Sequence, residues 1–140
     1  MPMAECVFCR ILRGEIPAQK VHEDGRVVAI LDINPVTSSH VLVLPREHYE
    51  TWVDLPSDLA GDVARASQAV ARAVMKAAGA EGFNLLVNNH VCSGQAIPHA
   101  HVHIIPRKTG DGIKFNWKTR PYEAGRIEKA AEAIRAALKA

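Results

Sequence analysis

His99-Ala100-His101-Val102-His103 is the stretch of this 140-residue chain that decides the fold. Successive side chains of an extended strand point to opposite faces, so all three imidazoles emerge on one side, about 7 Å apart along the strand. Ala100, Val102 and Ile104 fall on the other side, where they can pack on a core. The alternation therefore predicts a half-buried strand, with three titratable rings close enough to serve one bound group.

Spacing alone leaves the chemistry of the three rings open. Neutral imidazole is both a metal ligand and a nucleophile, so the rings could bind one metal ion, or one of them could attack an electrophile such as phosphorus. Rings at i, i+2 and i+4 of a flat strand stand in a row, which disfavours one shared ion. Three solvated surface histidines are the third alternative, which the strand pattern disfavours. Ser93-Gly94-Gln95 before the strand and Arg107 after it indicate an anionic ligand.

The composition bounds the class of protein. At 140 residues the chain fits one domain with a single core, and we expect residues 1–140 to form it. Its 17 basic and 15 acidic residues give a net charge of only +2, too weak a bias for a duplex nucleic-acid binder. No apolar run has the length of a membrane span, and no secretory signal is recognisable, so no membrane partner is expected. Three cysteines make no disulfide framework and predict a reducing, cytoplasmic location.

The rest of the sequence predicts an α+β fold with an antiparallel sheet of about five strands, because strands and helices mix without βαβ regularity. Besides the histidine strand, strands are predicted at residues 20–22, 26–31, 40–45 and 83–88. Helical segments are predicted at residues 8–13, 57–79 and 123–138. The long second helix has Ser57 or Asp54 as candidate N-cap and Gly79 as C-cap. The third helix is Ala-rich and has an apolar stripe.

Cys6 and Cys9 have the spacing of half a zinc site. Two buried structural thiols or a redox pair are the alternatives, and the redox interpretation lacks the strand before and the helix after the motif that it requires. A zinc site needs two further ligands, for which His48 and His99 are candidates because the other histidines have other tasks. Bound metal would contribute about 10 kcal/mol to folding and tie the N-terminus to the sheet.

Three segments of the chain resemble the signature of the histidine triad (HIT) nucleotide-binding family. They are residues 93–107 (SGQAIPHAHVHIIPR), residues 6–17 with Cys6-Val7-Phe8-Cys9, and residues 31–45 with Leu31-Asp32-Ile33-Asn34-Pro35. Their order and spacing agree over residues 5–107, and residues 108–140 form a C-terminal extension that resembles the family only loosely. The chain looks most like the bacterial branch that carries the N-terminal CxxC.

The resemblance implies a HIT-like fold, a two-fold homodimer with joined sheets, and catalytic roles for three histidines. His101 would attack the α-phosphate of a purine nucleotide and become nucleotidylated, after which water releases the nucleoside monophosphate. His103 would contact the phosphate and help the leaving group depart, and His40 would lie beside the phosphate site. Asp32 would hold the ribose hydroxyls, and Ile33 would line the base pocket.

The resemblance also implies the remaining ligands. Asn88 would lie near the ribose and phosphate, while Gln95 and the backbone around Gly94 and Ala96 would grip phosphate oxygens. The zinc-bearing branch holds its metal with the CxxC and two histidines, one of them the first of the triad, so Cys6, Cys9, His48 and His99 fit a structural zinc site. Phe115 and Trp117 would be core residues or would reach a neighbouring subunit, and the dimers of the family favour the second interpretation.

The leading hypothesis is a homodimeric hydrolase of purine nucleoside phosphoramidates or adenylates. Dinucleoside polyphosphate hydrolysis, with the same residues and a different leaving group, is the first alternative. A nucleotide-binding regulatory module with incidental turnover is the second. Ala96 stands where the eukaryotic phosphoramidase branch has a serine, which affects the leaving-group preference.

Overall fold

The sheet of this protein contains five antiparallel strands in the order β1-β2-β3-β5-β4. The structure is a computed structural model that describes residues 3–140. Its strands are β1 (Lys20–Glu23), β2 (Val27–Leu31), β3 (Val41–Pro45), β4 (Gly82–Leu86) and β5 (Val102–Arg107). Its α-helices within that range are α1 (Val7–Leu12), α2 (Ser57–Ala78) and α3 (Arg126–Lys139). The predicted α+β class and the five-stranded antiparallel sheet are confirmed.

β2 and β3, two of the three interior strands, are almost fully buried because both of their faces are apolar. On one face, Val41 and Val43 pack with Val102 and Ile104 against the apolar stripe of α2. On the other face, Val28, Ile30, Leu42 and Leu44 pack with Cys6, Phe8 and Cys9 of the N-terminal segment. The sheet therefore separates a helix-covered side from a side that carries α1.

The histidine strand begins later than predicted, because β5 starts at Val102 and leaves His99 and His101 ahead of it. Pairing with β3 ends where Val43 meets Val102. Two residues after Val43, β3 ends at Pro45, which has no N–H with which to continue the hydrogen bonding to β5. Ala100 instead donates its N–H to the carbonyl of Tyr49 (2.7 Å). The alternation of faces still holds, since Ala100, Val102 and Ile104 all lie in the core beneath α2.

The C-terminal end of α2 is confirmed and its predicted N-cap is wrong. Gly79 ends the helix in the left-handed region (φ 59°), which glycine adopts without steric cost. At the other end Pro56 occupies the N-cap position without a side-chain cap. Asp54 is unavailable because its carboxylate accepts the N–H and hydroxyl of Thr51 (2.9 and 2.7 Å), closing a capping box on the preceding 3-10 turn.

The C-terminal extension lies outside the core. α3 begins at Arg126, three residues later than predicted, and none of its residues is buried. Phe115 and Trp117 stack on each other with ring centroids 4.8 Å apart, and both are exposed, so the core interpretation of this pair is wrong. Among the described residues, no helix has the length and apolar character needed to cross a membrane.

Candidate active site and metal site

The His101 ring has one nitrogen, Nδ1, hydrogen-bonded to the backbone, and its other nitrogen, Nε2, faces solvent. The side chain is only 7% exposed and packs edge-on against Phe8, with centroids 5.0 Å apart. Its Nδ1 lies 2.7 Å from the carbonyl oxygen of His99, so Nδ1 carries the hydrogen and Nε2 the lone pair. Every buried side-chain nitrogen and oxygen of residues 3–140 has a hydrogen-bond partner. Since Nε2 has none, it must reach solvent.

Burial keeps the His101 ring neutral. Desolvation lowers its pKa, and this effect outweighs the opposing influences of the His99 carbonyl and the Asp32 carboxylate. A neutral imidazole with an accessible lone pair is a competent nucleophile toward an anionic phosphate ester. The ring is also buried enough to exclude the interpretation of three solvated surface histidines, because His99 is fully buried as well.

His40 and His103 form a hydrogen-bonded pair beside this nucleophile. The N–H of Val36 donates to Nδ1 of His40 (3.1 Å), which leaves the hydrogen of the neutral ring on Nε2. That Nε2 lies 2.9 Å from Nδ1 of His103, so it donates there and leaves the hydrogen of His103 on its own Nε2. The Nε2–H of His103 has no partner among residues 3–140 and is free to donate to a ligand.

The pKa values of His40 and His103 are both lowered. Burial lowers the pKa of His40, against the opposing charge of Asp32. Burial, followed by the neighbouring rings of His101 and His40, lowers the pKa of His103 to about 4. The His103 ring lies beside that of His101, with centroids 4.8 Å apart. The pair is therefore a neutral relay whose terminal N–H is adjacent to the nucleophile.

Asp32 follows β2 and brings a carboxylate to the edge of this cluster. Its Oδ2 lies 3.7 Å from Nε2 of His40, and its Oδ1 accepts the N–H of Asn34 (2.8 Å). Asp32, His40 and His103 are close enough to be considered a metal-binding group. The Nε2 of His40 carries the hydrogen donated to His103, however, so we assign the three to a hydrogen-bonded relay. Ile33, the predicted base-pocket residue, is 86% exposed.

The turn before the histidines presents two unpaired amides. Gly94 adopts φ 101°, a conformation that favours glycine, and a Cβ at this position would lie 3.6 Å from Nδ2 of Asn88. The N–H groups of Gly94 and Gln95 bond within the turn, to the carbonyls of Val91 and His90. Those of Ala96 and Ile97 have no acceptor among residues 3–140. The structure thus brings Asn88 and Gly94 together and leaves the Ala96 amide available to an anion.

Gln95 clamps two loops together, a role that the sequence did not reveal. Its side chain is 6% exposed, its Oε1 accepts the N–H of His90 (2.7 Å), and its Nε2 donates to the carbonyl of Glu50 (2.6 Å). A parallel contact joins the same loops, because Asn89 Oδ1 accepts the N–H of Trp52 (2.8 Å). The predicted phosphate contact of this amide would have to use its second N–H.

Cys6, Cys9, His48 and His99 converge in one possible metal-binding group. Cys6 caps α1 and Cys9 lies one turn later, which places both thiols on one side of the helix. His99 donates its Nε2–H to the Pro45 carbonyl (2.9 Å), so its Nδ1 lone pair faces the thiols. The three triad rings therefore do not converge on a single ion. His99 faces the cysteines, whereas His101 and His103 lie with His40.

The donor separations in this group fit a tetrahedral ion. Sulfur–nitrogen distances are 3.5 Å for Cys6–His99, 3.6 Å for Cys9–His99 and 3.4 Å for Cys9–His48. The two Nδ1 atoms of His48 and His99 lie 3.2 Å apart. Ideal zinc–sulfur and zinc–nitrogen bonds at tetrahedral angles give about 3.6 Å and about 3.3 Å for these two kinds of separation. The residues present therefore fit the metal that the sequence predicted.

Both thiols and the His99 ring are buried, whereas His48 is partly buried. Burial, together with the adjacent Cys6, raises the pKa of the Cys9 thiol to about 11. Burial lowers the pKa of His99 to about 4, which keeps its ring neutral and able to act as a ligand. His99 also joins the two sites, because its carbonyl holds the Nδ1–H of His101.

Residues 13–110 match the HIT domain family, and this chain belongs to that family. It is 44% identical over 130 residues to adenylylsulfatase HINT3 of Arabidopsis thaliana, covering 93% of this chain and 66%, about two thirds, of that protein. It is 44% identical over 115 residues to Protein hit of Bacillus subtilis, covering 81% of this chain and 79% of that one. It is 33% identical to adenosine 5'-monophosphoramidase hnt1 of Schizosaccharomyces pombe, covering 96% and 98%.

Solved structures share the fold. SMU.412c from Streptococcus mutans superposes with a TM-score of 0.92 at 36% identity, covering 98% of this chain and 87% of that one. A zinc-bound histidine triad family protein from Mycobacterium smegmatis superposes with a TM-score of 0.76 at 34% identity, covering 98% and 99%.

Proposed function

We propose that this chain is a nucleotide hydrolase that cleaves the α-phosphate bond of purine nucleoside phosphoramidates or adenylates. The observation that carries the proposal is the fixed tautomer of His101, with Nδ1–H on the His99 carbonyl and the Nε2 lone pair toward solvent. An imidazole held in this way can attack phosphorus without first losing a proton.

In the first proposed step, Nε2 of His101 forms a bond to the α-phosphorus as the bond to the leaving group breaks. The Nε2–H of the neutral His103 ring donates a hydrogen bond to the departing nitrogen or oxygen, which takes its proton from solvent water. The Ala96 amide, which has no acceptor among residues 3–140, would stabilise negative charge on the phosphoryl oxygens. Asp32, at the edge of the histidine cluster, would accept the ribose hydroxyls, and Asn88 would contact the sugar and phosphate.

In the second step, water attacks the nucleotidylated His101. The phosphorus–nitrogen bond breaks, its electron pair returns to Nε2 of His101, and the water passes its proton to solvent as the nucleoside monophosphate is released. His40 supports both steps because its Nε2–H fixes the orientation and tautomer of His103. Division of one hydrolysis into two steps through a covalent intermediate predicts ping-pong behaviour.

The named activities of relatives support the substrate class. The Arabidopsis relative is named an adenylylsulfatase and the Schizosaccharomyces relative an adenosine 5'-monophosphoramidase. Both names describe an adenosine nucleotide, with different groups on the phosphate. We infer that this chain accepts AMP-type substrates with phosphoramidate or mixed-anhydride leaving groups.

The test is release of AMP from an adenosine phosphoramidate by the wild type and by His101→Ala, with His22→Ala as the matched control. His22 is a partly exposed strand residue bonded to Asp24, outside the proposed site. We expect His101→Ala to lose at least about 1000-fold in kcat, as expected when a covalent nucleophile is removed, while His22→Ala matches the wild type. Unchanged turnover by His101→Ala would refute the assignment. Preference for a dinucleoside polyphosphate over the phosphoramidate would favour the alternative leaving group.

We further propose that Cys6, Cys9, His48 and His99 hold a structural zinc ion. Four protein ligands close the coordination shell, so the ion would stabilise the fold and leave no open position for substrate. It would tie α1 to the loop after β3 and to the start of the histidine segment. Thiol ligands of this kind suit a reducing compartment, which is why we propose a cytoplasmic location.

Elemental analysis tests the zinc proposal, with about one equivalent per chain expected in the wild type. Cys6→Ser should lose the metal and unfold at lower urea concentration, whereas Cys92→Ser should change neither property because Cys92 is exposed and outside the group. A folded wild type without metal would contradict the proposal.

We also propose a homodimer formed along β4. This strand bonds only to β5 and presents an open edge, and its Phe83 and Leu85 are 43% and 52% exposed. They line an open groove with Ala71 and Met75 of α2, so apolar side chains of the strand and of the helix adjoin on this face. Leu85→Arg should give a monomer by light scattering, while Val21→Arg on the opposite edge strand should remain a dimer. A monomeric wild type would overturn the proposal.

A further inference from the structure

The loop between β2 and β3 carries the amide that orients the His40 ring. We call residues 33–39 the β2–β3 loop. The N–H of Val36 in this loop donates to Nδ1 of His40 (3.1 Å), whereas the His40 backbone is held separately, because its carbonyl accepts the N–H of Asp32 (2.9 Å). Asp32 Oδ2 lies 3.7 Å from Nε2 of His40, which is too long for a hydrogen bond. The Val36 amide is therefore the group that fixes the tautomer of His40.

Little packing holds the β2–β3 loop in place. Ile33 and Val36 are 86% and 50% exposed, so neither side chain fixes the backbone by burial. Residues 37–39 line a cavity of about 450 Å³ together with Ala77 and Ala78 at the end of α2, so they are not closely packed on that side. The position of the loop therefore depends on its hydrogen bonds.

A single side-chain hydrogen bond joins this loop to the rest of the sheet. The hydroxyl of Thr37 donates to the carbonyl of Pro106 in β5 (2.8 Å). Every other hydrogen bond of the loop within the described residues 3–140 stays between residues 32 and 40. Pro106 lies two residues beyond Ile104, which pairs with the first residue of β3, so the Pro106 carbonyl has no partner in β3 and is available to Thr37.

The turn that begins at Thr37 is conformationally strained. The His40 N–H donates to the Thr37 carbonyl (3.1 Å), which closes a four-residue turn, and Ser39 at its third position has φ 73°. Turns with positive φ at this position favour glycine, because a Cβ is sterically unfavourable there. A strained turn with little packing relaxes unless another contact holds it. The hydrogen bond from Thr37 to Pro106 is that contact.

We propose that Thr37 is a positioning residue, which acts through the Val36 amide on the relay of His40 and His103. This inference rests on the hydrolase function proposed above. With the Thr37 hydroxyl on Pro106, the Val36 N–H stays on Nδ1 of His40, whose Nε2–H donates to His103. The hydrogen of His103 then lies on Nε2, where it donates to the leaving group.

Loss of the Thr37 hydroxyl makes the opposite arrangement of the relay accessible. Once the loop relaxes, Nδ1 of His40 loses its donor, and the hydrogens of both rings can lie on Nδ1. His103 then donates to His40 through Nδ1, and its Nε2 presents a lone pair to the leaving group instead of a donor. The reaction slows because the leaving group receives no hydrogen bond.

Two substitutions at Thr37 separate the hydroxyl from the shape of the side chain. Thr37→Val keeps the branched shape and removes the donor, whereas Thr37→Ser keeps the donor. For AMP release from an adenosine phosphoramidate, we expect Thr37→Val to lower kcat about 10-fold, within the range that misplacement of a catalytic group by up to about 1 Å produces. KM should change less than about twofold, because the hydrogen bond is made to the leaving group in the transition state.

The matched controls keep the hydroxyl of Thr37 in place. Thr37→Ser should match the wild type in kcat and KM. Ser38→Ala removes an exposed hydroxyl from the same turn and should also match the wild type.

NMR spectra of the imidazole nitrogens give a readout that a loss of stability alone would not change. We expect His103 to carry its hydrogen on Nε2 in the wild type, in Thr37→Ser and in Ser38→Ala. The form with the hydrogen on Nδ1 should appear only in Thr37→Val. Hydrogen exchange of the Val36 amide should accelerate in the same variant.

Three outcomes would overturn the role of Thr37. Wild-type kcat in Thr37→Val would show that the hydroxyl is not needed, and equal losses in Thr37→Val and Thr37→Ser would show that its hydrogen bond is not the cause. A fall in kcat with unchanged nitrogen spectra and unchanged Val36 exchange would exclude an effect through His40. If the wild type releases no AMP, the hydrolase proposal fails by itself, and the spectra and the Val36 exchange alone decide whether Thr37 holds the relay.

Discussion

Replacement of Gln95 by methionine tests whether the loop clamp shapes the active site. Methionine keeps the length of the buried side chain but removes the acceptor for the His90 N–H and the donor to the Glu50 carbonyl. Each partner left without a hydrogen bond at a mostly buried site costs about 1–3 kcal/mol. Because the turn ends in solvent and water can reach part of it, we expect a total loss of about 2–3 kcal/mol in the free energy of unfolding.

The same substitution should slow catalysis, because the clamp holds the turn that presents the Ala96 amide. Misplacement of such a group by about 1 Å costs up to about 100-fold in rate, so we expect kcat/KM for an adenosine phosphoramidate to fall about 10- to 100-fold. Urea unfolding at fixed protein and zinc concentrations measures the stability, and AMP release measures the rate. Gln19→Met, at an exposed glutamine, is the control and should change stability by less than about 0.5 kcal/mol. Wild-type stability and turnover in Gln95→Met would refute the clamp.

Three further substitutions and conditions give defined expectations. Gly94→Ala should cost about 1–2 kcal/mol in urea unfolding, since φ 101° is strained for any residue with a Cβ; a neutral result would mean that the turn relaxes freely. Asp32→Asn should raise KM for a ribonucleotide more than for its deoxyribose analogue, and equal effects on both would remove the ribose role. The free energy of unfolding should not change with pH above about pH 6.5 and should fall as pH drops toward about 4. Burial lowers the pKa values of His40 and His103 in the folded chain, so over this range the unfolded chain binds more protons than the folded chain. His103→Gln should reduce this slope, and an identical slope in the variant would contradict the assigned burial effect.

The sequence predicted the elements whose identity depends on local pattern. Alternation around Val102 gave the correct face for the histidines, and Gly79 gave the end of α2, since a left-handed C-cap favours glycine wherever it occurs. The start of β5 was misplaced because it depends on Pro45 in a different strand, which alternation within one segment does not reveal.

Parts of the site that depend on distant contacts were harder to predict. Spacing and family resemblance brought Cys6, Cys9, His48 and His99 together correctly as candidate ligands. The clamp of Gln95 on Glu50 joins residues 45 positions apart, and a buried glutamine leaves no periodic signal in the sequence. The amphipathic pattern of α3 was visible, but a pattern states that an apolar face exists and not which surface covers it.

Intact and peptide mass spectrometry of the protein quenched shortly after mixing with an adenosine phosphoramidate tests the central claim most directly. The account predicts a transient adenylyl group on the peptide that contains His101, absent in His101→Ala and present in His22→Ala. AMP release without any such adduct, or an adduct on another residue, would contradict covalent catalysis by His101.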